Sequence, residues 1–194
     1  MAAAGAAIEV AGMVTSITGI SVNVYLTRYG QPINNLRWSC RVESQTEMQK
    51  ATDTLMADAG YVEWVGKHAH LFEVAPTDLL ANVISSSGME NGPAAFYSVL
   101  TATAANGRMA DAVAFGVRAQ QFVAEATKLS TAFATGVYGA FGTVTWLTGA
   151  NSMDGIDSID EMQMSNPGYH ELVKDAGELF NTGSGMTTLI QKIN

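Results

Sequence analysis

His68 and His70 stand two residues apart in Lys67-His68-Ala69-His70. On a strand, that spacing would place both imidazoles on one face, an arrangement that zinc or iron sites use. His170 and Glu171 would complete a ligand set only if folding brought them close. Scattered His-x-His pairs are more often surface or edge residues, so His68 and His70 rank as weak metal candidates. Asp154, Asp157, Asp160 and Glu161 form a second grouping. They recur every third residue or closer, unlike the alternating ligands of an EF-hand loop, and a solvated acidic loop is the default reading over calcium.

Nucleophilic chemistry finds little support. Ser184 in Gly183-Ser184-Gly185 lacks the five-residue elbow that presents a catalytic serine. Cys40 is the single cysteine. It cannot form an intrachain disulfide, and its alternating apolar surroundings read as those of a buried structural thiol. Gly136, Gly139 and Gly142 are evenly spaced without the Lys-Ser/Thr of a phosphate cradle. Trp38, Trp64 and Trp146, with Tyr25 and Tyr61, could line a ligand site, although core and rim positions suit them better. With no catalytic constellation, the sequence predicts a chain that is not an enzyme and takes no cofactor.

The elements that would position these residues read as α+β. A small antiparallel sheet is expected, with strands near 20–28, 36–43, 61–65 and 69–74. Ile20, Val22, Val24 and Leu26 alternate with polar residues, as do Leu36, Trp38, Cys40 and Val42. Helices are expected near 45–59, 77–86, 108–130 and 167–180. Ser44 and Glu47 have capping-box spacing. Phe115, Ala119, Phe122, Ala126 and Leu129 mark a long amphipathic stripe, and Asn166-Pro167 opens the last helix. The segments 94–105 and 137–148 fit strand or helix, the latter leaning to strand, and 149–165 reads as loop. Residues 1–194 are expected to form a single domain, with 1–19 as an N-terminal arm. A faint self-similarity links Ala95-Phe96 with Ala140-Phe141, and chance matching of small residues explains it equally well.

Composition sets the functional expectation. The 194 residues carry a net charge of -8, and only 14% are charged, against roughly 25% in an average soluble domain. A Lys/Arg deficit excludes nucleic acid as a natural partner and disfavours anionic membrane surfaces. No basic leader precedes the first apolar run, and no stretch is apolar enough to span a bilayer, so the chain is expected to be made in the cytoplasm. Between Lys128 and Asp154 there is no charged side chain at all. Such a run must be core, packed on a partner, or set against lipid.

The leading expectation is therefore a non-enzymatic structural subunit of a virion- or tail-like assembly, partnered by copies of itself and neighbouring assembly proteins. Its contacts would be Phe133, Val137, Tyr138, Phe141, Val144 and Trp146, with Ile8, Val10 and Met13 as a second surface. The alternatives are a pore-forming protein that inserts its charge-free segment after oligomerisation, and a metal-dependent enzyme using His68 and His70.

Overall fold

The computed structural model describes residues 2–73 and 76–194. Among them are six α-helices and seven strands: α1 (Ala2–Thr18), β1 (Val22–Tyr29), β2 (Leu36–Cys40), α2 (Gln45–Ala57), α3 (Ala59–His68), β3 (Leu80–Ser87), β4 (Phe96–Thr103), α4 (Met109–Thr127), β5 (Ser130–Tyr138), β6 (Thr143–Ala150), α5 (Met153–Ser165), α6 (Pro167–Lys174) and β7 (Met186–Lys192). The strands hydrogen-bond in the order β2-β1-β7-β4-β6-β5-β3. The β1–β2, β3–β5, β4–β6, β4–β7 and β5–β6 ladders are all antiparallel. This sheet is larger than the four-stranded one expected from sequence.

The chain divides into two compact units. Unit 1 holds residues 1–27, 33–77 and 192–194; unit 2 holds 28–32 and 78–191. In unit 1, α1 places Ala7 and Ala11 on Val24, with Val22, Leu36 and Ile193 around them. The segment read as an arm is thus a helix whose small residues form that core. Unit 2 runs β4-α4-β5-β6-α5-α6-β7, a β-α-β-β-α-β plan, with β3 added beside β5.

The close approach of α4 to the sheet defines unit 2. Gly116 faces the Phe133 ring, and a β-carbon there would fall inside the ring's van der Waals envelope. Phe133 and Val144 are fully buried. The charge-free run is therefore β5, β6 and their turn, strands flanked on both edges. Interior position accounts for the missing charge at its buried residues, Thr131–Ala134, Val144 and Thr148–Ala150, while the 136–141 turn is exposed.

Several expected elements differ. Residues 61–65 are helical: Asp58 Oδ1 accepts from Tyr61 N at 2.8 Å and starts α3, so Gly60 lies inside a new helix rather than ending the old one. Ala69–Leu71 is a short 3-10 turn rather than strand, and Val74 lies outside the described residues. The expected helix 77–86 is instead β3, paired from Leu80↔Tyr138 to Ser87↔Thr131. Leu79, Leu80, Val83 and Ile84 fit a helical stripe, but the ladder with β5 prevails over that pattern. The expected loop 149–165 contains α5, begun by Ser152 Oγ accepting from Gly155 N. It buries Ile156, Ile159 and Met162 behind a sequence dominated by poor helix formers. The last helix stops at Lys174. The ambiguous segments become β4 and the β5–β6 hairpin.

Gly116→Ala should destabilise the protein. Alanine gains about 1 kcal/mol of helix propensity, but overpacking a fully buried ring costs about 1–3 kcal/mol or more. Gly12, inside α1, has open space around it, so Gly12→Ala should stabilise by about 0.5–1 kcal/mol. Urea midpoints moving in opposite directions for the two variants are the expected result.

Candidate active site

Unit 2 forms a partly open cavity of about 250 Å³ between α4, the sheet and the α5–α6 segment. Phe115, Ala119, Gln120 and Val123 of α4 form one wall, and Ser98, Leu100 and Ala102 of β4 form another. Thr131 and Ala132 of β5 and Trp146 and Thr148 of β6 continue the sheet wall. Ile159 and Gln163 of α5, Tyr169 and Val173 of α6, and Phe180 close it. The lining includes no Asp, Glu, Lys, Arg or His.

Aromatic rings set its shape. Trp146 lies 5.1 Å from Phe133, and it meets Phe115 and Phe180 edge-on at 6.4 and 5.7 Å. Phe115 and Phe180 are 5.9 Å apart. The indole cannot swing freely, because Trp146 Nε1 donates to Gly116 O at 3.0 Å. The missing side chain at Gly116 thus admits Phe133, and the same residue's carbonyl anchors Trp146.

The polar groups are few and uncharged. Gln120 is 3% exposed, and its Nε2 donates to Thr131 Oγ1 at 2.6 Å. Thr131 has spent an acceptor site and retains its own O–H for donation, while Gln120 retains Oε1 as an acceptor. Tyr169 is set by its helix start: Asn166 Oδ1 accepts from Gly168 N and Tyr169 N. Burial pushes the Tyr169 phenol above its ordinary value of 10.0. It is therefore a neutral donor throughout the neutral pH range.

The residues singled out from sequence fall in different places. Phe133 and Val144 are core, and Trp146 lines the cavity. Val137, Tyr138 and Phe141 are exposed around the β5–β6 turn. On α1, Ile8 is 37% exposed, while Val10 and Met13 are half-buried. His68 stacks on Trp64 at 4.1 Å, and its Nδ1 lies 2.9 Å from Trp64 O. His70 Nδ1 lies 3.0 Å from Lys67 O. No group of three or more His, Cys, Asp or Glu among the described residues could hold a metal ion, so neither His68 with His70 nor the acidic segment is a metal centre. Cys40, read as buried, is exposed. Gln120, Thr131 and Tyr169 escaped the sequence reading. The available signal was Gln120, an amide that shares a helical face with Ala112, Phe115 and Ala119.

No family model and no curated protein sequence matches this chain. Solved structures do. An anthrone oxidase-like protein superposes with a TM-score of 0.64 at 10% identity, covering 97% of this chain and 85% of that one. A putative monooxygenase from Lactobacillus acidophilus NCFM gives 0.57 at 13% identity, covering 95% and 85%. These likenesses overturn the expectation of a non-enzymatic, self-assembling virion or tail subunit. The pore-forming alternative falls with it, since the strands of the charge-free segment belong to the sheet of that shared fold. No helix among the described residues is long and apolar enough to cross a membrane. The metal-dependent alternative fails for want of ligands. What the likeness establishes is the fold, one that this chain shares with an oxidase-like and a monooxygenase-like protein.

Proposed function

We propose that the unit 2 cavity is the active site of an oxidoreductase that uses dioxygen to oxidise a small, flat, electron-rich aromatic. The observation that carries this reading is the lining itself: an aromatic, uncharged chamber whose neutral polar residues are Ser98, Gln120, Thr131, Thr148, Gln163 and Tyr169. Small-ligand sites are largely apolar with a few placed polar groups. The shared fold supports the reaction class, and the anthrone in the name of one structural neighbour suggests the substrate class: fused aromatic ketones with an acidified CH₂.

The step balances without a further reductant. The CH₂ between two rings becomes a carbonyl, losing four electrons and two hydrogens. Dioxygen takes up the four electrons. One of its atoms becomes the new carbonyl oxygen, and the other leaves as water with both hydrogens. The first proton passes to a water at the open mouth of the cavity and is returned in the product water, and the charge it leaves delocalises onto the ring oxygen, so the protein's task is to hold that oxyanion. Tyr169 and the Thr131 hydroxyl are the donors on the lining suited to it, acting in a low-dielectric chamber. Phe115, Trp146 and Phe180 hold the ring system and keep the chamber dry. Gln120 is a positioning residue that fixes the Thr131 hydroxyl.

A flavin, a common redox group for oxygen chemistry, does not fit this lining. No cationic side chain is present to meet its phosphate, and no step is routed through it.

Anthrone incubated with the protein in ¹⁸O₂ should consume one dioxygen per product and place one ¹⁸O in the new carbonyl. Tyr169→Phe should lower kcat by about tenfold or more with a smaller change in KM, as for loss of a donor made in the transition state. Oxygen uptake no faster than in buffer, across several phenolic substrates, would exclude the assignment.

The raised phenol also has a pH signature. An unfolded tyrosine ionises near 10, whereas Tyr169 in the folded chain ionises above that value. Stability from this group is complete below pH 10 and is lost as pH rises through the folded value. Ultraviolet difference titration of the protein against Tyr169→Phe should show this ionisation only above the ordinary range.

A further inference from the structure

The sheet wall of the unit 2 cavity carries two unlike rows. The β4–β6 and β5–β6 ladders set Leu100 opposite Trp146, and Trp146 opposite Phe133. Two residues along, Ser98 stands opposite Thr148, and Thr148 opposite Thr131. The first row is apolar. The second is three hydroxyls on three adjacent strands, about 7 Å away on the same face. All three hydroxyl residues line the cavity. Gln120 of α4 serves the Thr131 end of the row. The hydroxyls of Ser98 and Thr148 have no hydrogen-bond partner among the described residues, yet both stay accessible, unlike the sealed hydroxyls of Thr27 and Ser85. Thr148 is only 8% exposed, and a buried hydroxyl without a partner costs free energy.

The other half of the chain shows that the fold does not require this row. The series α1-β1-β2-α2-α3-β3 recurs in the same order as α4-β5-β6-α5-α6-β7, and the agreement extends to single atoms. Thr18 Oγ1 donates to Val14 O at 2.7 Å and accepts from Ile20 N at 3.1 Å. Thr127 Oγ1 donates to Val123 O at 2.7 Å and accepts from Leu129 N at 3.3 Å. Trp38 Nε1 donates to Ala7 O at 3.1 Å, as Trp146 Nε1 donates to Gly116 O at 3.0 Å. Ser44 and Ser152 cap corresponding helices, as do Asp58 and Asn166. The pairs Val22↔Cys40 and Val24↔Trp38 answer Thr131↔Thr148 and Phe133↔Trp146. Val22 and Cys40 thus occupy two of the hydroxyl positions, and Ala11 stands in the place of Gln120. Ala11 and Val22 belong to one apolar cluster. The duplication keeps the tryptophan and its carbonyl partner but not the hydroxyls, so the row belongs to the cavity of unit 2 and not to the plan of the fold.

We propose that the row Ser98–Thr148–Thr131 selects ring systems that carry two oxygens in meta relation, with Thr148 as the specificity residue. The inference rests on reading the cavity as the site of a flat aromatic. Neighbouring strands lie about 4.8 Å apart. Two meta oxygens on a six-membered ring are separated by nearly that length, and two ortho oxygens by little more than half of it. A ring lying along Leu100 and Trp146 therefore presents a meta pair to two successive hydroxyls, but an ortho pair to one. Each hydroxyl can donate to one oxygen or accept from another. The meta pair seats on Thr131 with Thr148, or on Thr148 with Ser98, and Thr148 belongs to both.

The probes are naphthoresorcinol, whose oxygens are meta, and its isomer 2,3-dihydroxynaphthalene, whose oxygens are ortho. Each is titrated calorimetrically into the full chain under nitrogen. The meta isomer should bind about tenfold more tightly, the effect of about one additional neutral hydrogen bond. Thr148→Val should bring the two affinities within about twofold of each other, and Thr148→Ser should keep the preference. Equal affinities for the unaltered chain overturn the proposal, and this comparison holds even where the valine variant does not fold. A preference that a folded Thr148→Val leaves intact overturns it as well. With dioxygen excluded, binding is read apart from turnover. A meta preference in a protein without oxygen uptake supports the hydroxyl row and overturns only the reaction class, whereas oxygen uptake with equal affinities overturns only the row.

Discussion

Unit 2 depends on how closely α4 can lie on the sheet. Glycine at position 116 brings the Phe133 ring against helix backbone, and that approach sets how close the α4 wall of the cavity lies to the sheet wall. A helix held further off would release Trp146 from the Gly116 carbonyl, and the edge-on contacts among Phe115, Trp146 and Phe180 would open. Packing of this density transmits small displacements. The shape of the chamber and the stability of the unit are set by the same few atoms.

Those atoms also explain why the chemistry is carried by neutral groups. A charge inside this chamber would have no partner on the lining, and an unpaired buried charge is costly. Amide, hydroxyl and phenol groups can be buried if they bond to one another, as Gln120 and Thr131 do. Burial further suppresses ionisation of Tyr169. The proposed reaction matches this environment, since its charge arises on the substrate and meets donors already in position.

Much of the architecture was legible in sequence, for identifiable reasons. Alternation located β1 and β2, the capping pairs at Ser44 and Asn166 located the starts of α2 and α6, and an unbroken stripe located α4. Failures came where local preference and packing disagree. Asp, Ser and Gly disguised α5, and a helical-looking run became β3 because β5 offered a ladder. The charge-free run was read as a surface covered by other molecules, whereas its buried strands are covered by α4 and neighbouring strands and its turn is exposed. The site was nearly invisible, since a glutamine, a threonine and a tyrosine drawn from three elements share no motif. The duplication was hidden likewise, because it preserves bonds and caps more than identities. The resemblance of Ala95-Phe96 to Ala140-Phe141 is unrelated to it, since one lies at the start of β4 and the other in the β5–β6 turn.

Unit 1 has a consequence for how the molecule comes into being. Its core is assembled mostly from residues before Thr77, yet Ile193 N donates to Val24 O, while the Asn194 side chain bonds to both Val22 O and Val24 N. The segment that closes this unit is translated after everything else described. A ribosome would therefore release the whole of unit 2 before unit 1 could be completed, and the earlier-made portion must wait with its apolar helices exposed, in the interval when nascent chains are most vulnerable to wrong associations.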